Sequence, residues 1–306
     1  MANKKIVFFN GKFVPYEKAV VSVASHALNY GTGCFEGIRA YWSENRKKLF
    51  VFRLRDHVRR MKRSAKTLFL KLLVSEKEFC QVVVELLRKN KPKEDTYIRP
   101  LLFKSEEVIG KFDLRKLQDG FTIFTVPLGR YLNTSQGVKT IISSYRRVDD
   151  RTVPPFAKPT GIYLNTALAK TEALEKGVDE AILLNLDNSV AEGSAENIFL
   201  VKGGKLITPS LDQNILAGIT RQTIIELAKR ELNMETVQRK VMSKELFSAD
   251  EVFLTGTGAE VAPVIEINRK KIGDGKAGKI TARLQSLYFQ IVHGENRKYS
   301  RWLTRI

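Results

Sequence analysis

Lys158 sits in the run Pro154-Pro155-Phe156-Ala157-Lys158-Pro159. A lysine does covalent chemistry only if its amine can be uncharged near neutral pH, which burial beside other cations or in apolar surroundings provides. The prolines on both sides would stiffen the backbone that presents it. By composition alone, one lysine among 52 Lys and Arg carries little signal and reads as a solvated surface group. Two carboxylates, Glu192 and Glu196, follow a strand-like run, and the plain reading of each is an exposed loop acid. Gly218-Ile219-Thr220 opens a helical pattern carrying Ile224, Ala228 and Leu232, with Thr220 as the expected N-cap. Such a helix start offers backbone N–H groups and a dipole to a phosphate, and is equally often an ordinary capped helix.

Several other chemistries are absent or incomplete. GTGCFEG, residues 31–37, has its third glycine one position late for a dinucleotide fingerprint and does not lead from a strand into a helix. GDGKAGKI, residues 273–280, has the phosphate-loop glycine and lysine, but Ile280 stands where Ser or Thr would hold magnesium. No GxSxG hydrolase elbow occurs. Two cysteines, Cys34 and Cys80, and three scattered histidines, His26, His57 and His293, make no imidazole or thiolate metal site. An all-carboxylate metal site stays open.

The elements that must position these residues are those of an α+β protein. At 306 residues, 43% apolar and 28% charged, the chain can bury a sizeable core, and its length suggests two domains. IVFF and FVPY around Asn10-Gly11 predict a hairpin, with no apolar stretch of signal-peptide length. Nor does any stretch approach a membrane span, so a cytoplasmic protein is expected. Residues 52–74 place Val58, Met61, Ala65, Leu68, Phe69 and Leu72 at spacings of three and four, an amphipathic helix with a basic outer face. Strands TYIRPLLF and FTIFTVPL follow, and the turn-rich 127–137 segment is the expected linker between domains 1–126 and 138–306. The net charge of +19 raises nucleic-acid binding as an alternative, although no RNP, zinc-finger or helix-turn-helix signature accompanies it.

Six segments in series carry a stronger signal. They are YGTGCFEGIRAY (30–41), YIRP (97–100), PPFAKPTGIYLN (154–165), VAEGSAENIFLV (190–201), AGITRQTIIELAK (217–229) and LTGTGAEVAPV (254–264). In order and separation they resemble the class IV, D-alanine aminotransferase-like, pyridoxal-phosphate enzymes, and among them the branched-chain amino-acid aminotransferases. The resemblance implies the two-domain α+β fold type IV, with a small N-terminal domain and a larger pseudo-barrel domain. It implies that Lys158 links covalently to pyridoxal 5'-phosphate and that Glu192, rather than Glu196, pairs with the pyridine nitrogen. Protonation of that nitrogen is what makes the cofactor an electron sink. Arg60, rather than its neighbour Arg59, and the Ile219, Thr220 and Thr257 positions would take the phosphate, and Tyr163 the phenolic oxygen. Gly258 stands where members often have alanine, which puts the rigidity of that turn in question.

The resemblance also implies a substrate pocket walled by Tyr30, Phe35, Gly37, Tyr97 and Tyr131, with Arg99 for a distal carboxylate and the backbone of Thr257, Gly258 and Ala259 for the α-carboxylate. Leu128 stands where some members carry tryptophan, leaving side-chain preference open. The implied reaction is ping-pong transamination of leucine, isoleucine or valine with 2-oxoglutarate, Lys158 moving the α-proton, in a homodimer or larger assembly. Within the same fold, a D-amino-acid or amine transaminase or an aminodeoxychorismate lyase would use the same lysine; Arg99 and EGIRAY favour the branched-chain reading.

Overall fold

The computed structural model describes residues 5–129, 132 and 134–306. The chain divides into two compact units, the first made of Met1–Gly129, Ala157–Gly161 and Ile291–Ile306, the second of Arg130–Phe156 and Ile162–Gln290. Lys158 therefore belongs to the first unit, as a short loop inserted from between two stretches of the second.

In unit 1 the elements are β1 (Ile6–Phe9), β2 (Lys12–Pro15), α1 (His26–Tyr30), β3 (Gly33–Phe35), β4 (Ile38–Ser43), β5 (Lys48–Phe52), α2 (Leu54–Thr67), α3 (Glu76–Asn90), β6 (Thr96–Lys104) and β7 (Asp119–Pro127). The expected hairpin is β1–β2, closed by Asn10 and Gly11, which both hold the positive φ (45° and 89°) that a tight two-residue turn demands. The unit's sheet is antiparallel throughout: β6 pairs with β7 along its whole length, and on its other edge with β4 and then β3. Pro100, which has no N–H to give, falls between those two partners, and its carbonyl accepts from Glu36 N (3.0 Å).

Helix α2 is the amphipathic helix read from the sequence, shorter than its pattern at the C-terminal end. Leu54, Val58, Met61 and Ala65 are buried in one cluster with Phe79, Val83, Leu86 and Leu87 of α3. Arg55, Arg59, Arg63 and Lys66 face outward. Helix α3 starts in a capping box, Ser75 accepting from Glu78 N and Glu78 from Ser75 N, worth about 1 kcal/mol. The basic charge is uneven: unit 1 carries 31 Lys and Arg against 14 Asp and Glu, a net of +17, and unit 2 carries 21 against 19, a net of +2. Any electrostatic attraction for polyanions thus resides in unit 1.

Unit 2 carries β8 (Val138–Arg146), α4 (Tyr163–Glu175), β9 (Glu180–Leu184), β10 (Val190–Gly193), β11 (Asn197–Lys202), β12 (Lys205–Thr208), α5 (Ile219–Glu231), β13 (Thr236–Gln238), α6 (Ser243–Leu246), β14 (Glu251–Gly256), β15 (Glu260–Ile267) and β16 (Lys270–Lys271). Its sheet is mixed, ordered β10-β9-β8-β15-β14-β11-β12-β13, with parallel pairs where β8 meets β9 and β15 and where β12 meets β13. Strands β9, β11 and β14 are almost wholly buried, the continuous apolar signature of strands covered on both faces. The chain leaves the unit within α7 (Lys279–Val292), and β17 (Leu303–Arg305) returns to pair with β5 of unit 1. Among the described residues, no helix is long and apolar enough to cross a membrane.

Candidate active site

The loop that carries Lys158 is sewn to the glycine-rich segment before β4, within unit 1. Thr160 Oγ1 donates to Gly31 O at 2.7 Å, Gly161 N to the same carbonyl at 3.2 Å, and Phe35 N to Lys158 O at 3.4 Å. Gly31 (φ 65°) has no room for a Cβ, which would stand 2.7 Å from Gly161 Cα. Gly31 of GTGCFEG therefore serves this backbone approach. Lys158 itself holds a positive φ of 45°, strained for a non-glycine residue, and its Nζ lies 5.0 Å from the centre of the Phe35 ring. Arg99 Cζ is 4.1 Å from the same ring centre.

Tyr97, Arg99, Phe35 and Gly37 come together beside it. Arg99 Nη2 donates to Tyr97 Oη at 3.1 Å, and a Cβ on Gly37 would stand 2.1 Å from that same oxygen. Gly37 is thus the position at which only glycine admits the tyrosine hydroxyl. Among the described residues, the buried Arg99 Nε has no hydrogen-bond acceptor. Tyr30 is half exposed and stacks among His26 (4.6 Å) and Phe112 (5.1 Å), its hydroxyl accepting from Gly110 N. Tyr131 lies outside the described residues.

Arg60 is buried and bidentate on Glu36, Nε to Oε1 at 2.6 Å and Nη2 to Oε2 at 2.7 Å, while His57 Nδ1 meets Oε2 at 2.7 Å. Burial alone would raise the Glu36 carboxyl, but the Arg60 charge and hydrogen bonds outweigh it and hold the group well below the usual range. Burial lowers His57, with the Arg60 and Lys158 charges adding to it, against the pull of Glu36. Arg59, its neighbour along α2, turns outward to Glu76 at 3.0 Å, so one arginine of the pair faces inward. The sequence reading missed Glu36 and His57; the signal was there, since His57 and Arg60 stand three apart on one helix face. Cys34, on the adjoining strand, is pushed up to about 12 by burial and by the Glu36 and Asp119 charges, so it offers no thiolate.

In unit 2, Glu192 lies in β10, one residue before its end, with its carboxylate enclosed by donors. Arg147 Nη2 lies 2.7 Å from Oε1, and Asn197 Nδ2 (2.9 Å) and Leu216 N (3.1 Å) both donate to Oε2. Glu196, four residues on, is the opposite case. Burial first and the nearby Glu180 charge second push it up to about 8, so it is largely neutral at pH 7. Two acids that look alike in sequence thus stand in different surroundings, one ringed by donors and the other buried beside a second acid. The sequence reading missed Arg147, which lies in none of the six segments, and Asn197, which lies within VAEGSAENIFLV.

Helix α5 begins two residues earlier than a Thr220 cap implies. Gly218 is the N-cap, with extended backbone (φ −67°, ψ 134°), and Ile219 and Thr220 are the first two helical residues, both buried. Thr220 is therefore not the cap. Gly218 is required for space rather than for φ: a Cβ there would strike Asn197 Oδ1 at 1.9 Å. Thr257, Gly258 and Ala259 form the turn between β14 and β15, and Tyr163 is the first residue of α4.

The fold and the sequence are those of an aminotransferase of class IV. The family model for amino-transferase class IV matches residues 33–267, and the chain belongs to that family. It is 48% identical over 300 residues (98% of this chain, 96% of the other) to a probable branched-chain-amino-acid aminotransferase of Aquifex aeolicus. The branched-chain aminotransferase of Thermoproteus uzoniensis, solved with norvaline, matches at a TM-score of 0.93 and 45% identity over 98% of both chains. The branched-chain amino acid aminotransferase from Thermobaculum terrenum, solved in its PLP-form, matches at 0.91 and 35% identity over 100% of this chain and 99% of the other. The α+β fold type IV architecture expected from the sequence is the one observed.

Proposed function

We propose that the protein is a pyridoxal-phosphate-dependent branched-chain-amino-acid aminotransferase, which moves the amino group of leucine, isoleucine or valine to 2-oxoglutarate. One observation carries the reading: the likeness to proteins of that name runs the full length of the chain at 48% identity.

The donors and acceptors present suit the cofactor. Glu192, paired with Arg147 and held by Asn197, is placed to pair with a protonated pyridine nitrogen. The start of α5, where the Gly218 cap makes no side-chain hydrogen bond, would present the Ile219 and Thr220 amides to a phosphate. Thr257 and Arg60 complete the phosphate set in this reading, Glu36 fixing the plane of the Arg60 guanidinium. Tyr163 takes the phenolic oxygen.

When bound, the cofactor supplies an electron sink for the pair left at the substrate's α-carbon. Lys158 Nζ would hold it covalently and, once freed, would serve as the base that takes the substrate's α-proton and as the acid that returns it. Arg99 holds the distal carboxylate of glutamate or 2-oxoglutarate, satisfying its buried Nε. Tyr30, Phe35, Gly37, Tyr97 and Tyr131 bound the side-chain pocket, and the Thr257–Ala259 backbone takes the α-carboxylate.

The same reading makes the protein a cytoplasmic homo-oligomer, a dimer at least. It is supported by the exposed apolar side chains of Val20, Val23, Leu28, Ile109 and Phe112, all in unit 1. The test is a coupled assay with 2-oxoglutarate and L-leucine, D-alanine or aminodeoxychorismate. Turnover with L-leucine is expected to exceed the others by orders of magnitude; turnover confined to D-alanine or aminodeoxychorismate overturns the branched-chain assignment.

A further inference from the structure

The buried Asn197 side chain touches several of the groups that hold unit 2's polar centre together. Its Nδ2 donates to Glu192 Oε2 and to Leu216 O, both at 2.9 Å. Two acceptors on that side fix which end of the amide is nitrogen. The Oδ1 end then lies against Gly218, so closely that glycine alone fits. Its backbone pairs with Thr255 of β14, two residues before Thr257. One side chain therefore bridges the carboxylate, the segment entering α5 and the cap of that helix, from a strand registered on the one that leads to Thr257.

We infer that Asn197 is a positioning residue that sets the separation between the Glu192 carboxylate and the anion-binding start of α5, so that one ligand must satisfy both at once. The inference rests on the proposed function, in which Glu192 meets the pyridine nitrogen and α5 the phosphate of a single molecule. Replacing Asn197 with alanine removes a donor from Glu192 and from Leu216 O together and leaves a gap against Gly218. The two ends of the ligand are then held independently. A rigid pair of subsites rewards a ligand that spans both more than a loose pair does.

The experiment measures dissociation constants of the full-length apo protein for pyridoxal 5'-phosphate and for pyridoxal, which lacks the phosphate. The quantity read is their ratio, compared between wild type, Asn197→Ala and Gly218→Ala. Gly218→Ala drives a methyl into Asn197 Oδ1 and so attacks the same contact from the other side. Thermal unfolding of each apo protein reports whether it folds; if Asn197→Ala does not, Gly218→Ala decides. The expected result is a phosphate advantage at least tenfold smaller in the variants than in wild type. An equal loss of affinity for both ligands, leaving the ratio as in wild type, is what a merely structural role produces, and it overturns the inference while the proposed function stands. A wild-type protein that binds both ligands equally, or neither, overturns the proposed function, and the inference falls with it.

Discussion

Arg147 Nη2 lies 2.7 Å from Glu192 Oε1, and both side chains are shut away from solvent. Arg147 is held in turn by its Nε, which donates to Asn214 O at 3.1 Å, on a residue with positive φ. Removing one partner of such a pair strands the other charge in the interior. Arg147→Gln is expected to lower folding stability by about 3–5 kcal/mol, and Arg147→Lys by less, because an ammonium keeps the charge but not the fork. Denaturant unfolding of the apo protein measures both; a loss under about 0.5 kcal/mol for the glutamine variant contradicts a buried, uncompensated Glu192.

Glu196 gives a pH dependence of definite sign. Its folded pKa, raised by burial and then by Glu180, is about 8 against an ordinary 4.5, so the native state binds the proton more tightly than the unfolded chain. Its stabilising contribution is complete below the unfolded value and is lost as pH rises through the folded one. Lys170, paired with Glu180 at 2.8 Å, and Glu192 are the other charges acting on it. Glu196→Gln, which cannot ionise, is expected to gain stability over wild type as pH climbs from about 5 to about 8, by on the order of 1 kcal/mol or more. Unfolding curves for the two proteins that run parallel across that range would show that Glu196 is ionised throughout.

The hairpin at Asn10-Gly11 and helix α2 were legible because their signals are local: a dipeptide that tolerates positive φ, and apolar residues at helical spacing. The start of α5 was not. A search for a polar cap chose Thr220, whereas the cap is Gly218, selected by contact with Asn197 across 21 positions of sequence. The difference between Glu192 and Glu196 is likewise invisible locally, since it depends on Arg147, just after β8, and Glu180 from β9. The lysine loop shows the same limit. Its place in unit 1 follows from two glycines, Gly31 and Gly161, meeting from distant parts of the chain.

Gly37 and Tyr97 set up a test of substrate recognition. Alanine at position 37 would place a methyl 2.1 Å from the tyrosine hydroxyl and displace the group to which Arg99 is bonded. KM for 2-oxoglutarate is expected to rise about tenfold in Gly37→Ala, a loss of roughly 1.4 kcal/mol in binding, with a smaller change for leucine. Unchanged KM values for both substrates would remove Tyr97 and Arg99 from the pocket.

The Glu36–Arg60–His57 cluster sets the last of the variants. Glu36 is fully buried and carries both partners, so Glu36→Gln leaves the guanidinium without its counter-charge. Affinity for pyridoxal 5'-phosphate is expected to fall about tenfold or more as Arg60 loses its fixed plane, and apo stability to fall by about 3 kcal/mol. Equilibrium dialysis and unfolding curves read the two effects separately; wild-type cofactor affinity in a destabilised variant would confine the cluster to folding.

Lys158 carries the central claim, and one measurement addresses it directly. Borohydride reduction of the cofactor-loaded protein, followed by peptide mass spectrometry, locates the residue to which the cofactor is joined. A pyridoxyl group on the peptide containing Ala157-Lys158-Pro159, lost in Lys158→Ala together with turnover, is the predicted result. A tag on any other lysine, or none after saturation with the cofactor, contradicts the account.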